Sequence, residues 1–268
     1  MFGGRQQHDP GGLPQEALDR LRSGAFTSDL SVDELLCIES MGFDALGLVL
    51  GSSIYHIGWQ RIRTTKNEEL QVISRAMYEA RRHAIHRMEQ EAAALDADGI
   101  VGVRMEIQRY DWGPDLLEFL FIGTAIRARD PSQRIRPEHG IPFSSDLSGQ
   151  DFYKLRIAGF RPIRLVIGSC VYHVSTQSLG QWFRQLTGNT EHVPLTRGTY
   201  AARELAMGRM EAECTQFGGG GVVAVQVHEK NHGWGSHVIE FFAIGTAVVR
   251  EPGAQAVAPP GVVLTANG

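Results

Sequence analysis

Cysteine is scarce in this chain of 268 residues. There are three, Cys37, Cys170 and Cys214, odd in number, far apart and never in a CxxC pair. That excludes a disulfide scaffold and a zinc ribbon. Long hydrophobic runs are absent as well: none reaches the ~18–20 residues that a membrane helix requires. The segment from Met1 to Pro14 is polar and lacks the apolar core of a signal peptide. The expected location is the cytoplasm, with reduced thiols and no membrane partner. Positive charge is not in excess, since 26 Lys+Arg face 30 Asp+Glu for a net charge of -4. A generally basic nucleic-acid binder is therefore not expected. Familiar catalytic signatures are also lacking, with no P-loop, GxSxG elbow or HExxH. Gly218 to Gly221 follows a helical stretch and precedes a strand, the reverse of a dinucleotide fingerprint. Hydrophobic residues at 43% and charged residues at 21% are those of a globular chain with enough apolar side chain for a core.

What the sequence does contain is itself twice over. Val49-Leu-Gly-Ser-Ser-Ile-Tyr-His-Ile57 matches Val166-Ile-Gly-Ser-Cys-Val-Tyr-His-Val174 at an offset of 117 (166 − 49), with five of nine positions identical. Ser28-Asp29-Leu30-Ser31 meets Ser145-Asp146-Leu147-Ser148 at the same offset. Further along the offset becomes 122 (200 − 78). Tyr78 to Glu91 then matches Tyr200 to Glu213 at eight of fourteen positions, and Glu118 to Ile126 matches Glu240 to Val248 at six of nine. The organisation expected is a leader over 1–27, repeat 1 over 28–130, a Pro-bearing linker over 131–143, repeat 2 over 144–250 and an Ala/Pro/Gly tail over 251–268.

Each repeat reads as β-α-β-β. Leu48–Leu50 and Leu165–Ile167 are apolar runs that suit first strands. Ile73, Met77, Ala80, Ala84, Met88, Ala92 and Leu95 recur at steps of three or four, and Leu195, Ala202, Ala206, Met210, Cys214 and Phe217 occupy the same stripe, which predicts an amphipathic helix on a sheet. Arg75, Arg82, Glu89 and Arg203 fall off this stripe and are expected toward water. Two strands follow, joined by a loop around Trp112-Gly113 or Trp234-Gly235, hence antiparallel. A short extra helix is possible at Ser178–Leu186. The fold class is α+β: a tandem duplication of a small two-layer unit, an antiparallel sheet with a long helix on one face. Val101, Val103, Val223 and Val225 alternate with further apolar residues, so both sheet faces are expected to be covered, by the other repeat, by another chain, or by both.

The chain resembles the YbjQ-like family. Ala80-Arg81, Ala84, Met88, Leu95, Ala97-Asp98-Gly99-Ile100-Val101-Gly102-Val103 and Gly123-Thr124-Ala125-Ile126 carry the resemblance in repeat 1. Ala202-Arg203, Ala206, Met210, Gly221-Val222-Val223 and Gly245-Thr246-Ala247-Val248 carry it in repeat 2. The resemblance implies a dodecin-like subunit assembled into a homo-oligomeric ring, commonly of five, and a domain often labelled heavy-metal-binding. It also shows departures. The Gly-Gly-Arg-rich loop of the family is replaced by Thr64-Thr65-Lys66-Asn67 and Thr187-Gly188-Asn189, and Asp96 stands where the family prefers Gly.

Several side chains are candidates for chemistry. His228, His232 and His237 surround the second hairpin and can hold a divalent transition metal, or they form a solvated loop. Repeat 1 has Glu106, Tyr110 and Asp115 in their places. Tyr55-His56 and Tyr172-His173 recur in both repeats and suit a ligand or interface contact, or a half-buried His bonded to backbone. Arg81 and Arg203 on the helices, with Glu118 and Glu240 on the last strands, suit ion pairs within a unit or between chains. Trp112 and Trp234 suit binding-loop or interface aromatics. The expected function is a non-enzymatic, ring-forming binding or scaffold protein. The alternatives are metal sequestration by the three histidines and an interface-cleft enzyme using His56 and His173.

Overall fold

The computed structural model describes residues 12–23, 25–56, 67–110, 113–135, 140–174, 193–231 and 238–253. Repeat 1 comprises α1 (Gln15–Ser23), α2 (Val32–Ser40), β1 (Phe43–His56), β2 (Glu68–Glu69), α3 (Gln71–Ala94), β3 (Gly99–Tyr110) and β4 (Gly113–Ala128). After a 3-10 turn at Pro131–Gln133 come β5 (Phe143–Ser144), α4 (Gly149–Ile157), β6 (Phe160–His173), α5 (Val193–Gln216), β7 (Gly221–Asn231) and β8 (Val238–Arg250). The fold is thus α+β and duplicated, as the sequence predicts. Within the stretch read as a leader, α1 is helical. Ser178–Leu186, Trp112, Trp234, His232 and His237 lie outside the described residues.

Both repeats place the last strand in the middle of the sheet. The sheet orders are β1-β4-β3-β5 and β2-β6-β8-β7. β1 and β3 run antiparallel to β4, β6 and β7 antiparallel to β8, and the short β5 runs parallel to β3. Even the irregularities are duplicated. One bulge falls at Ala45/Gly47 and again at Pro162/Arg164, another at Val101/Arg104 and at Val223/Gln226. Two strands are exchanged between the repeats: β2, from repeat 1, extends the sheet of repeat 2, and β5, which leads into repeat 2, extends the sheet of repeat 1.

The repeated Gly-Ser after the first apolar run has a steric cause. A Cβ on Gly51 would lie 2.0 Å from the Ala84 carbonyl oxygen, and one on Gly168 would lie 1.9 Å from that of Ala206. Only glycine lets the strand backbone touch the helix backbone. The long helices stop at left-handed residues, Asp96 (φ 54) and its counterpart Gly218 (φ 73). Most of the predicted stripe is buried: Ile73, Met77, Ala80, Ala84, Met88 and Ala92 in α3, and Ala202, Ala206, Met210 and Cys214 in α5, while Leu95 and Phe217 at the helix ends are half-buried.

Two sequence expectations are corrected. Glu89, expected toward water, is 1% exposed, because α3 has a sheet on its own side and the second repeat behind it. Val101 and Val103 are buried, but Val223 is only half-buried and Val225 is 39% exposed. The second sheet therefore has an uncovered edge where the first has none. One apolar cluster joins Met77, Ile85, Met88 and Phe119 of repeat 1 to Leu165, Ile167, Val171 and Phe242 of repeat 2, and another joins Ile38, Phe43 and Val101 of repeat 1 to Leu147 and Phe152 of repeat 2.

Candidate functional site at the junction of the repeats

The recurring Arg and Glu meet across the junction rather than within a repeat. Arg81 on α3 places its guanidinium between Phe119 of its own sheet and Phe242 of the other, 4.5 and 4.2 Å from the ring centroids. Its Nη1 lies 2.7 Å from Glu240 Oε1, and both side chains are 1% exposed. Ser169 Oγ bridges them, accepting from Arg81 Nη1 at 3.3 Å and donating to Glu240 at 3.4 Å. Arg81 Nε has no hydrogen-bond partner among the described residues. Two rings of negative π-density and one carboxylate thus hold a fully desolvated cation. Arg203, the counterpart of Arg81, is half-buried, with Phe241 5.7 Å and Tyr200 5.2 Å from its guanidinium.

Polar contacts line the rest of the α3 back face. Tyr78 donates to Glu213 Oε1 at 2.9 Å, and Arg82 Nε lies 3.4 Å from the same oxygen. Burial and the Glu213 charge push the Tyr78 phenol up to about 12. Arg164 grips Glu89 with two nitrogens, Nε at 2.9 Å, and Ser144 Oγ donates to Glu89 Oε1 at 3.0 Å. Arg209 forks onto Glu69 at 2.6 and 2.8 Å. Although desolvation opposes it, hydrogen bonds from Arg209 and Ser74 hold the Glu69 carboxyl below the usual range. Repeat 1 partly imitates this arrangement with α1. Arg20 donates to the Leu48 carbonyl at 3.0 Å and to Glu91 at 2.5 Å, as Arg82 does to the Leu165 carbonyl and Glu213.

The Tyr-His pair marks where a neighbouring unit docks. β2 pairs Glu68 with His173 and Glu69 with Tyr172, and Leu70 N–H donates to the Val171 carbonyl at 2.8 Å. His173 is buried there, whereas His56 is exposed and Tyr55 half-buried. Ahead of each first strand the Ser-Asp-Leu motif anchors to the central strand. Ser28 Oγ meets Thr124 Oγ1 at 3.1 Å, and Ser145 meets Thr246 at 3.0 Å. Asp29 pairs with Arg104. Asp146 is instead met by the neutral donors Gln226 and Thr246, and burial pushes its carboxyl up to about 6.

Reactive groups are not gathered in this region. Burial pushes the Cys170 thiol up to about 12, with the Glu69 charge adding to it, and burial also raises Cys214, so neither is poised as a thiolate. His228 is exposed on β7, its ring 6.0 Å from that of Phe242. Among the described residues, no group of three His, Cys, Asp or Glu side chains is arranged to hold a metal. None of their helices is long and apolar enough to cross a membrane. The arrangement is built for cohesion between units. Repetition of Arg and Glu was legible in the sequence, but the cross-repeat partners were not. Missed altogether was the role of the buried Glu89 and Glu213 and the half-buried Glu69 as acceptors.

Comparison with known proteins follows the same division. The family model described as "Putative heavy-metal-binding" (YbjQ) matches residues 39–129 and again 145–251. An encapsulin nanocompartment protein of Mycobacterium tuberculosis is 43% identical over 235 residues, which is 88% of this chain and 90% of that protein. A UPF0145 protein of Natronomonas pharaonis is 34% identical over 92 residues, and another of Halorubrum lacusprofundi 36% identical over 92. In both of these cases the match is 86% of the relative but 32% of this chain, so these relatives are about one repeat long.

Proposed function

The chain belongs to the YbjQ-like family, of which it carries two tandem members, and from that premise we propose that it is a non-enzymatic scaffold protein that assembles into closed rings. The observation that carries this reading is the unequal burial of equivalent residues. Val171 is fully buried by repeat 1, while its counterpart Ile54 is 55% exposed. In the other direction Val103 is buried at 4%, and Val225 is open. Each repeat has one sealed and one open side, and the open sides are the two halves of the junction already formed inside the chain. Such a head-to-tail contact generates rings when its rotation closes. Both units of a chain then lie side by side, so a ring of whole chains holds an even number of units, and five chains make ten. Light scattering tests the reading: a discrete multiple of 29.5 kDa is expected, and a monodisperse 29.5 kDa species at micromolar concentration contradicts it.

The name of the mycobacterial relative supports placing the ring with an encapsulin shell in the cytoplasm. Co-expression with a shell protein followed by sedimentation should bring the chain down with the particles; recovery only in the supernatant removes this part. A second reading, divalent-metal binding at His228 with His232 and His237, draws on the family description and on the exposure of His228. Calorimetry with Zn²⁺, Ni²⁺ and Cu²⁺ tests it. Heat that is abolished in the triple His-to-Ala variant supports it, and no heat above buffer ends it.

A further inference from the structure

We infer that Phe26 of one copy plugs a cavity at the open end of repeat 2 in the next, with residues 26–30 adding a parallel strand to its β7. The inference rests on the ring reading and names the contact that builds the ring. Its template lies inside the chain. Phe143-Ser144-Ser145-Asp146-Leu147 aligns with Phe26-Thr27-Ser28-Asp29-Leu30 at the offset of 117 (143 − 26). Both Ser-Asp-Leu segments make the same internal bonds. Asp29 N–H donates to Thr124 and Asp146 N–H to Thr246, each at 3.1 Å, and Leu30 N–H and Leu147 N–H donate back to Ser28 and Ser145.

The outward faces of the two segments differ. The second bonds to the edge of β3. Phe143 N–H donates to the Asp98 carbonyl, Ser145 N–H to that of Ile100, Gly102 N–H to that of Leu147 and Val103 N–H to that of Ser145, at 2.8–3.0 Å. The Phe143 ring fills the space above Gly99, where an added Cβ would lie 2.2 Å from it. At Gly221, the counterpart of Gly99, a Cβ would meet nothing within 4 Å. A cavity of about 330 Å³ lies there, lined among others by Met207, Met210, Cys214, Gly221, Val222 and Val225. Phe143 is fully buried, and Phe26 is 57% exposed.

So a ring without a socket and a socket without a ring stand at opposite ends of one chain, and a second copy supplies each to the other. Transposing the template pairs Phe26 N–H with the Gly220 carbonyl, Ser28 N–H with that of Val222, Ala224 N–H with that of Leu30 and Val225 N–H with that of Ser28. An aromatic anchor in an apolar pocket, flanked by strand addition, is a recurrent way of holding a partner. Charge is matched as well. α5 of the receiving copy carries Glu204 where α3 carries Arg82, and Arg20 of the copy that supplies Phe26 already places a guanidinium at the equivalent Glu91 and Leu48.

Complementation tests this directly. Phe26→Glu removes the plug and Val225→Glu spoils the socket, both at positions exposed in the single chain, so each variant should melt like wild type diluted until it dissociates. Phe26→Ser and Val225→Ser stand in for either variant that does not fold. In light scattering, wild type should assemble, and each variant alone should run at 29.5 kDa. A 1:1 mixture should give a dimer of twice that mass and nothing larger, because one intact plug then meets one intact socket. Wild type remaining at 29.5 kDa overturns the ring reading together with this inference. Wild type assembling while either variant assembles equally well, or variants that separate and fail to pair on mixing, overturns the inference alone.

Discussion

Val103 and Val225 occupy the same place in two copies of one unit, yet the first is buried at 4% exposure and the second stands 39% open. The pair Ile54 and Val171 reverses the pattern. The members of each pair are both branched apolar residues at the same register of the sheet; what differs in their surroundings is whether a neighbouring unit is present. Burial in this chain is therefore a record of neighbours, and the two repeats act as each other's control. Repeat 1 shows the helix back and the β3 edge as they are when occupied. Repeat 2 shows the first strand and its Tyr-His end as they are when occupied.

Substitutions sharpen the comparison. The largest effect is expected at Arg81. Arg81→Ala removes the cationic partner of the buried Glu240 carboxylate and should cost about 3–5 kcal/mol of stability in denaturant unfolding. Arg203→Ala, at the half-buried counterpart, should cost less than about 1 kcal/mol in dissociated chains. Equal costs would break the asymmetry. Gly51→Ala and Gly168→Ala should each cost about 3 kcal/mol, because the added methyl meets helix backbone that cannot move aside. Here the two repeats should agree, since the clash is internal to each.

A smaller effect is expected from pH. Asp146, raised to about 6 by burial, favours folding when protonated; that contribution is complete below the ordinary carboxylate range and is lost as pH rises through 6. Stability should therefore rise on acidification from pH 7 to 5, by about 1–2 kcal/mol in thermal melts. Glu34, Glu69 and Asp151 are held below their ordinary values, so their contributions are lost only at lower pH. Asp146→Asn should abolish the rise. A rise that persists in this variant would assign it elsewhere. The smallest effect is a gain. Ala224 is left-handed (φ 54) where its counterpart is Gly102 (φ 64). Ala224→Gly should stabilise by about 0.5–1 kcal/mol in the same melts, and a loss would mean that the methyl is used.

These comparisons also locate what the sequence could disclose. The β-α-β-β order was legible because identical residues perform identical local tasks: Gly51 and Gly168 touch a helix, and Ser28 and Ser145 anchor to threonine. Partner choice was not legible. Arg81, Glu118, Arg203 and Glu240 allow pairing within a repeat as readily as across repeats, and only the third dimension selects Arg81 with Glu240. Glu89 lay off the apolar stripe and read as solvated, because periodicity reports one buried face and α3 has two. The Phe26–Phe143 correspondence was available at the offset of 117, but repeat boundaries drawn at 28 and 144 left both phenylalanines outside.

Hydrogen exchange at the β7 edge puts the central claim to its most direct trial. Gly102 and Val103 donate their N–H groups to Leu147 and Ser145 within the chain and should be protected at every concentration. Ala224 and Val225, their counterparts, should exchange rapidly in dilute chains and slow to the rate of Gly102 and Val103 as the chains associate. Amides at 224 and 225 that exchange equally fast at all concentrations would contradict the account.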